Sequence, residues 1–307
     1  MLRWDQIQIL NNDMQRLLVT GAAGLLGREL IQESRAREFD VCGTYHHSLI
    51  TDAAPQTFPL DICDEKSVAA LVTQLRPSII IHAAALANVD ECEQYPERAH
   101  QVNVEGTKNI AVASHQTGCK LILISADYVF DGKQGNYSEN DPVHPLNVYG
   151  KTKAQAEEIV RKNVNEHIVI RTSIHGWGAG KPSFSTWILD TLRAGQPIRA
   201  VCDQFSSLMY AGDLAEAILR LVDTDFRGIL HIGSHDKISK FDFAIKMASV
   251  FDLDPNLITS CKAESLSQWK AARPRDVSLN VTAAEKELNR KLPTIVEGIE
   301  RMKREER

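Results

Sequence analysis

Much of what would announce a function class is missing from this 307-residue chain. Lysine and arginine total 35 against 40 aspartate and glutamate, a formal charge of −5, so the basic footprint of a nucleic-acid binder is absent. The six cysteines, Cys42, Cys63, Cys92, Cys119, Cys202 and Cys261, form no C-x-x-C pair. Free thiols in a reducing compartment are the expected state. No histidine or cysteine ligand set stands out, so no metal is expected, and no G-x-S-x-G elbow offers a serine nucleophile. The longest apolar stretches, such as SIIIHAAALA at 78–87, are too short to span a bilayer. No membrane partner is expected. The lead-in at 1–15 carries acids and amides without an apolar core, unlike a signal peptide, and a cytoplasmic location is expected. Repeats and Pro/Gly/Ser-rich linkers are also absent.

What is present is an alternation of strand and helix patterns. RLLVT at 16–20, DVCGTYH at 40–46, SIIIHAAA at 78–85, KLILISA at 120–126 and HIVIRTS at 167–173 read as strands. Helical patterns separate them, including one long helix over 96–118 and another over 147–163. Such alternation predicts an α/β fold with a doubly wound parallel Rossmann sheet. After Ser173 the pattern loosens into a smaller mixed α/β lobe. The reading assigns 16–175 to a dinucleotide-binding domain, with 208–232 returning to it. It assigns 176–207 and 233–307 to a substrate lobe.

VTGAAGLLG places Gly21, Gly24 and Gly27 where the first strand becomes the first helix. Glycine there permits a tight turn and close approach of the backbone to a pyrophosphate, and the helix N-terminus adds unpaired N–H groups. Ala23, Leu25 and Leu26 belong to the same turn. The second strand ends in GTYHHSLI, with Tyr45, His46 and His47 and no acid to hold a ribose 2′-hydroxyl. Without a repelling carboxylate a 2′-phosphate is admitted, so NADPH is expected, with NADH the alternative. Asp61 and Ile62 follow on a turn that would flank an adenine ring.

Tyr149 and Lys153, in YGKTK, stand four residues apart and share one helix face. Ketone reduction needs a proton for the oxygen as hydride arrives. A phenol of pKa near ~10 does this better beside an ammonium that lowers that pKa.

These pieces, with HAAA, VNVEGTKNI, SADYVFDG, RTS and ARPRDVSL, resemble the extended short-chain dehydrogenase/reductase superfamily, over roughly residues 16–295. They look most like its dTDP-4-dehydrorhamnose reductase branch, which also includes the non-catalytic regulatory subunit of methionine adenosyltransferase. The resemblance implies hydride transfer from NAD(P)H to C4 of a nucleotide-linked 4-keto-6-deoxy sugar, and a homodimer. It implies Tyr149 and Lys153 as the acid–base pair. It places Ala83, Ala84, Ala85, Asn103 and Ser125 on the cofactor side, and Val89, Ala126, Asp127, Tyr128, Asp203, Gln204 and Arg273 on the sugar side. Three departures fall on that sugar side. Ala126 stands where the family carries Ser or Thr, Ile174 where it carries Trp, and DQFSSLM at 203–209 where it reads DQxGxPT. An active reductase and a cofactor-binding regulatory protein both remain as readings.

Overall fold

Short runs rich in Leu, Ile and Val become parallel strands buried on both faces. The computed structural model describes residues 15–46, 56–178, 182–266 and 269–306; His47 lies outside them. In chain order come β1 (Arg16–Thr20), α1 (Leu25–Ala36), β2 (Asp40–Tyr45), β3 (Gln56–Pro59), α2 (Glu65–Leu75) and β4 (Ile79–His82). Then follow α3 (Val89–Gln94), α4 (Pro96–His100), α5 (Gly106–Thr117), β5 (Lys120–Ile124), α6 (Val148–Asn163) and β6 (His167–Arg171). A strand at Gly228–His231 pairs with β6, giving a seven-stranded sheet in which β5, β4, β1, β2 and β3 follow β6 in that order. Every pairing in it is parallel. The order reverses between β4 and β1, the switch point beyond whose carboxyl ends such sheets bind ligands.

Alternate strand residues feed opposite layers. Leu17, Val19, Ile79, Ile81 and Ile122 pack on one face, where α1 and α8 (Ala211–Leu221) lie. Leu18, Ile80, Leu121 and Leu123 pack on the other, with residues of α2, α5 and α6. A second core joins α7 (Phe184–Arg193), α9 (Lys240–Val250) and α11 (Ile295–Arg304) through Ile188, Leu189, Phe243, Met247 and Ile299. The short strands Ile198–Val201 and Ile258–Cys261 pair beside it. Arg301 straps α11 to the first core. It reaches Glu33 at 2.6 Å, Asp213 at 2.8 Å and Glu216 at 3.2 Å.

Three details differ from the sequence reading. β3 was not expected: its QTFP is short, ends in proline and is at best half-buried, so it carries no apolar signal. The long helix over 96–118 is interrupted by a π turn at Gln101–Glu105. Val277, Leu279, Val281 and Ala284, the last on α10 (Thr282–Glu287), pack in the core of the large sheet although they lie in the stretch assigned to the smaller lobe.

Candidate active site

The glycine turn is tight for a physical reason at two of its positions. Gly21 has φ +70°, and a Cβ there would stand 2.8 Å from the Ala84 backbone; at Gly27 it would stand 2.2 Å from the Gly21 carbonyl oxygen. α1 starts after Gly24 with no side-chain cap, which leaves its first N–H groups for a ligand. Gly24 is exposed, and Ala23 and Leu25 are half-buried, whereas Leu26 packs in the core. Behind the turn runs a buried chain of donors. Thr107 donates to the Asn103 carbonyl at 2.7 Å, so it accepts from His82 Nε2 at 3.1 Å, and His82 Nδ1 accepts from Thr20 at 2.7 Å. Burial holds the His82 pKa down to about 3, which keeps this neutral tautomer. The glycine turn and the uncapped start of α1 fit a dinucleotide diphosphate, and the chain behind them is satisfied internally.

Tyr45 ends β2 and His46 follows it, its Nε2 3.8 Å from Asp61. Ile62 is buried against Gly106 rather than open to a ring. The half-buried Ala83, Ala84 and Ala85 follow β4. Asn103, on the π turn, is spoken for. Its amide binds Leu86 N at 2.8 Å, Leu86 O at 3.1 Å and Thr152 Oγ1 at 3.0 Å. It braces this wall against α6 instead of facing a ligand, and π turns recur at such positions.

The end of β5 carries four side chains with different fates. Ser125 donates to Glu157 Oε1 at 2.5 Å, and Glu157 takes a bidentate grip from Arg171, at 2.8 Å to Nη2, with both ions buried. Ala126 is buried and offers only a methyl group. Asp127 is 4% exposed, its backbone N–H held by Thr172 O at 3.1 Å, and its Oδ2 has no partner. Burial pushes its carboxyl up to about 7. Tyr128 stands edge-on to Tyr149, centroids 6.3 Å apart.

Asn147 caps α6 by accepting from Gly150 N and binds Ala272 O at 2.8 Å, fixing the helix start against the second lobe. Lys153 Nζ donates to Ile124 O at 2.7 Å, and burial lowers its pKa to about 8. The sequence reading has Lys153 lowering the Tyr149 phenol, but the environment runs the other way. Burial first, then Asp127, Cys92 and Tyr128, raise that phenol.

Of the residues expected to face a sugar, Val89 opens α3. Arg273 pairs with Asp90 at 2.8 Å and lies over Trp269, and Lys240 Nζ lies 4.9 Å from the same ring. Burial lowers the Lys240 pKa to about 8, with Arg273 adding to it. Gln204 is buried with neither amide atom partnered, while Asp203 accepts from Ala263 N at 2.9 Å. A cavity of about 540 Å³ includes Phe184, Trp187, Arg199, Lys240, Trp269 and Arg273 in its wall. Trp177 packs on Phe251 and donates to Met302 O, so it does not replace the absent tryptophan of position 174.

Several of these residues escaped the sequence reading. Glu157 extends the Tyr149–Lys153 spacing by one more turn, a signal that could have found it. Lys240, Trp269 and Arg199 come from distant segments and left no local signal. One His-x-x-x-His spacing, His231 and His235, was also passed over. His231 donates to Tyr137 O at 2.9 Å and accepts from Arg171, while His235 meets Glu285 at 2.8 Å. Among the described residues no group of three His, Cys, Asp or Glu could hold a metal.

Residues 14–307 match the family described as the RmlD substrate binding domain. A probable low-salt glycan biosynthesis reductase of Haloferax volcanii is 33% identical, over 92% of this chain and 95% of that protein. The methionine adenosyltransferase 2 subunit beta of Xenopus laevis is 31% identical, over 91% and 86%. The crystal structure of dTDP-4-dehydrorhamnose reductase from Bacillus anthracis in complex with NADP has a TM-score of 0.86 and 31% identity, covering 95% of this chain and 100% of that one. With its doubly wound sheet and a match over nearly its whole length, the chain belongs to the RmlD substrate-binding-domain family.

Proposed function

We propose that this protein reduces the C4 keto group of a nucleotide-linked 4-keto-6-deoxy sugar, with NADPH as hydride donor and NADH as the alternative. The observation that carries the reading is a convergence at one end of the sheet. The Gly21 turn, the Ala83–Ala85 wall, the end of β5 and the Tyr149–Lys153 face of α6 all meet there. The reduced nicotinamide supplies the hydride. The α1 N-terminus binds the diphosphate, Tyr45 and His46 meet the adenosine end, and the remaining N–H groups of Lys153 hold ribose hydroxyls.

Tyr149 is suited to giving a proton rather than taking one, because its raised pKa keeps the phenol protonated at neutral pH. As hydride reaches the keto carbon, the phenol O–H passes its proton to the oxygen. Lys240, Arg199 and Arg273 would meet the substrate's diphosphate, and Phe184, Trp187 and Trp269 its base, in the cavity of about 540 Å³. Lys240 also acts electrostatically on Asp127 and Arg273 on Tyr128, which supports a sugar placed between them.

A second reading is a cofactor-binding regulatory protein with little turnover. Ala126 favours it, since loss of one oxyanion donor costs about 10²–10³ in rate, and so does the likeness to a methionine adenosyltransferase subunit. Mixing the protein with NADPH and dTDP-4-dehydrorhamnose and following nicotinamide absorbance separates the two. Catalytic oxidation supports the reductase. Tight NADPH binding without oxidation across several nucleotide keto sugars supports the regulatory protein.

A further inference from the structure

Asp127 is a buried carboxyl with no ion pair among the described residues, beside the Tyr149 phenol that would protonate a ketone oxygen. Ser125 cannot serve there, because its hydroxyl points back to Glu157 and is held by the Arg171 ion pair. Ala126 has no hydroxyl. Asp127 begins the 3-10 turn Asp127–Val129 and is the next side chain along. The Ser173 hydroxyl, following β6, and the backbone N–H groups of Asp127 and Tyr128 lie near enough to favour the charged carboxylate, while Oδ2 is left without a hydrogen-bond partner. The other charged or titratable groups facing it are the Tyr128 and Tyr149 phenols and the Lys240 ammonium at the start of α9, with Arg273 and Asp90 beyond them. An unpartnered oxygen this deeply buried is costly unless a ligand completes it.

Building on the reductase reading above, we infer that Asp127, as a neutral carboxylic acid, donates the hydrogen bond to the substrate's keto oxygen that a hydroxyl at position 126 would otherwise supply. The step balances without another reagent. Hydride from the reduced nicotinamide forms the new C–H bond, and the C=O π pair moves onto oxygen and takes the Tyr149 proton. Asp127 keeps its own proton in the hydrogen bond throughout, and solvent reprotonates the phenolate. A carboxyl raised to about 7 by burial is in its donor form below that pH.

The test uses the full chain with NADPH and dTDP-4-dehydrorhamnose, with circular dichroism and NADPH affinity as checks on folding. Asp127→Ala is expected to lose about 10²–10³-fold in kcat. Asp127→Asn retains a donor and is expected to lose less than about tenfold, by the same reckoning of a donor kept rather than removed. Wild-type kcat is expected to fall as pH rises through about 7, and Asp127→Asn to lack that fall. Ala126→Thr placed in Asp127→Ala is expected to restore rate. Asp127→Ala turning over like the wild type, or Asp127→Asn as damaged as Asp127→Ala, overturns the inference alone. A wild type that oxidises no NADPH with any keto sugar nucleotide overturns the reductase reading and the inference with it.

Discussion

The hydroxyl of Ser125 lies 2.5 Å from Oε1 of Glu157, and this contact turns Ser125 away from the cleft. Neighbouring strand residues point to opposite sides, so the cleft is left to Ala126 and to the turn that begins at Asp127. Behind the contact, Glu157 and Arg171 form an ion pair with both side chains 4% exposed.

Removing one partner of that pair leaves the other buried and uncompensated, which costs about 3–5 kcal/mol. Glu157→Ala should therefore lower stability by that amount in urea denaturation. Arg171→Ala should cost a similar amount, and Glu157→Ala/Arg171→Ala less than the two singles summed. A loss below about 1 kcal/mol for either single variant, the range of exposed pairs, would show that the network carries little.

Gly21→Ala should abolish dinucleotide binding. The residue sits at φ +70°, and its new Cβ would meet the Ala84 backbone at 2.8 Å. The left-handed conformation alone costs about 1–2 kcal/mol, and relief of the contact moves the phosphate turn. Titration of NADPH by fluorescence should show no saturation in this variant, in contrast to an exposed control such as Lys108→Ala.

Acid should destabilise the fold through buried histidines. His82, His175 and His231 are held near about 3 by burial, below their ordinary value of 6.5. Unfolded, they bind protons as pH falls below that value, whereas the folded chain excludes them. Their contribution is therefore complete above pH 6.5 and is lost progressively as pH drops toward 3. Asp127, raised to about 7, and Asp213, also raised by burial, work in the opposite sense, but they are two groups against three. Thermal melts from pH 7.5 to 4.5 should show a falling Tm. His175 has both ring nitrogens unpartnered, and His175→Leu should flatten the fall without loss at neutral pH. A Tm independent of pH would contradict this.

Substrate binding should depend on Lys240. Among the described residues its ammonium makes no hydrogen bond or ion pair and lies 4.9 Å from the Trp269 ring, and it lines the cavity assigned to the diphosphate. Lys240→Ala should raise KM for the sugar nucleotide by about 10-fold or more, the weight of a lost charge-assisted hydrogen bond, and leave NADPH affinity unchanged. An equal effect on both ligands would place Lys240 elsewhere in the function.

Local features were legible in the sequence and assembled ones were not. Gly21, Gly24 and Gly27 could be read because a turn between strand and helix needs glycine within a few residues. Tyr149 and Lys153 could be read because one helix face brings them together. The strand β3 was hidden because QTFP has no apolar pattern, and the π turn because no residue in QVNVE signals it. Lys240, Trp269 and Arg199 meet only when the second lobe folds. The Tyr149 phenol is raised by burial and by Asp127, Cys92 and Tyr128, which come from elements other than its own helix. Lys153 Nζ settles on a backbone carbonyl, Ile124 O, which no side-chain pattern reveals.

The central step is hydride reaching a keto sugar in the cleft beside Tyr149. Its most direct test is a reaction of the protein with dTDP-4-dehydrorhamnose and NADPH deuterated at the transferable position, with the product read by NMR. Deuterium should appear at C4 of the sugar, and Tyr149→Phe should reduce the rate by about 10²–10⁴ with NADPH affinity retained. A nucleotide sugar recovered unreduced, or deuterium transfer that proceeds as fast in Tyr149→Phe, would contradict it.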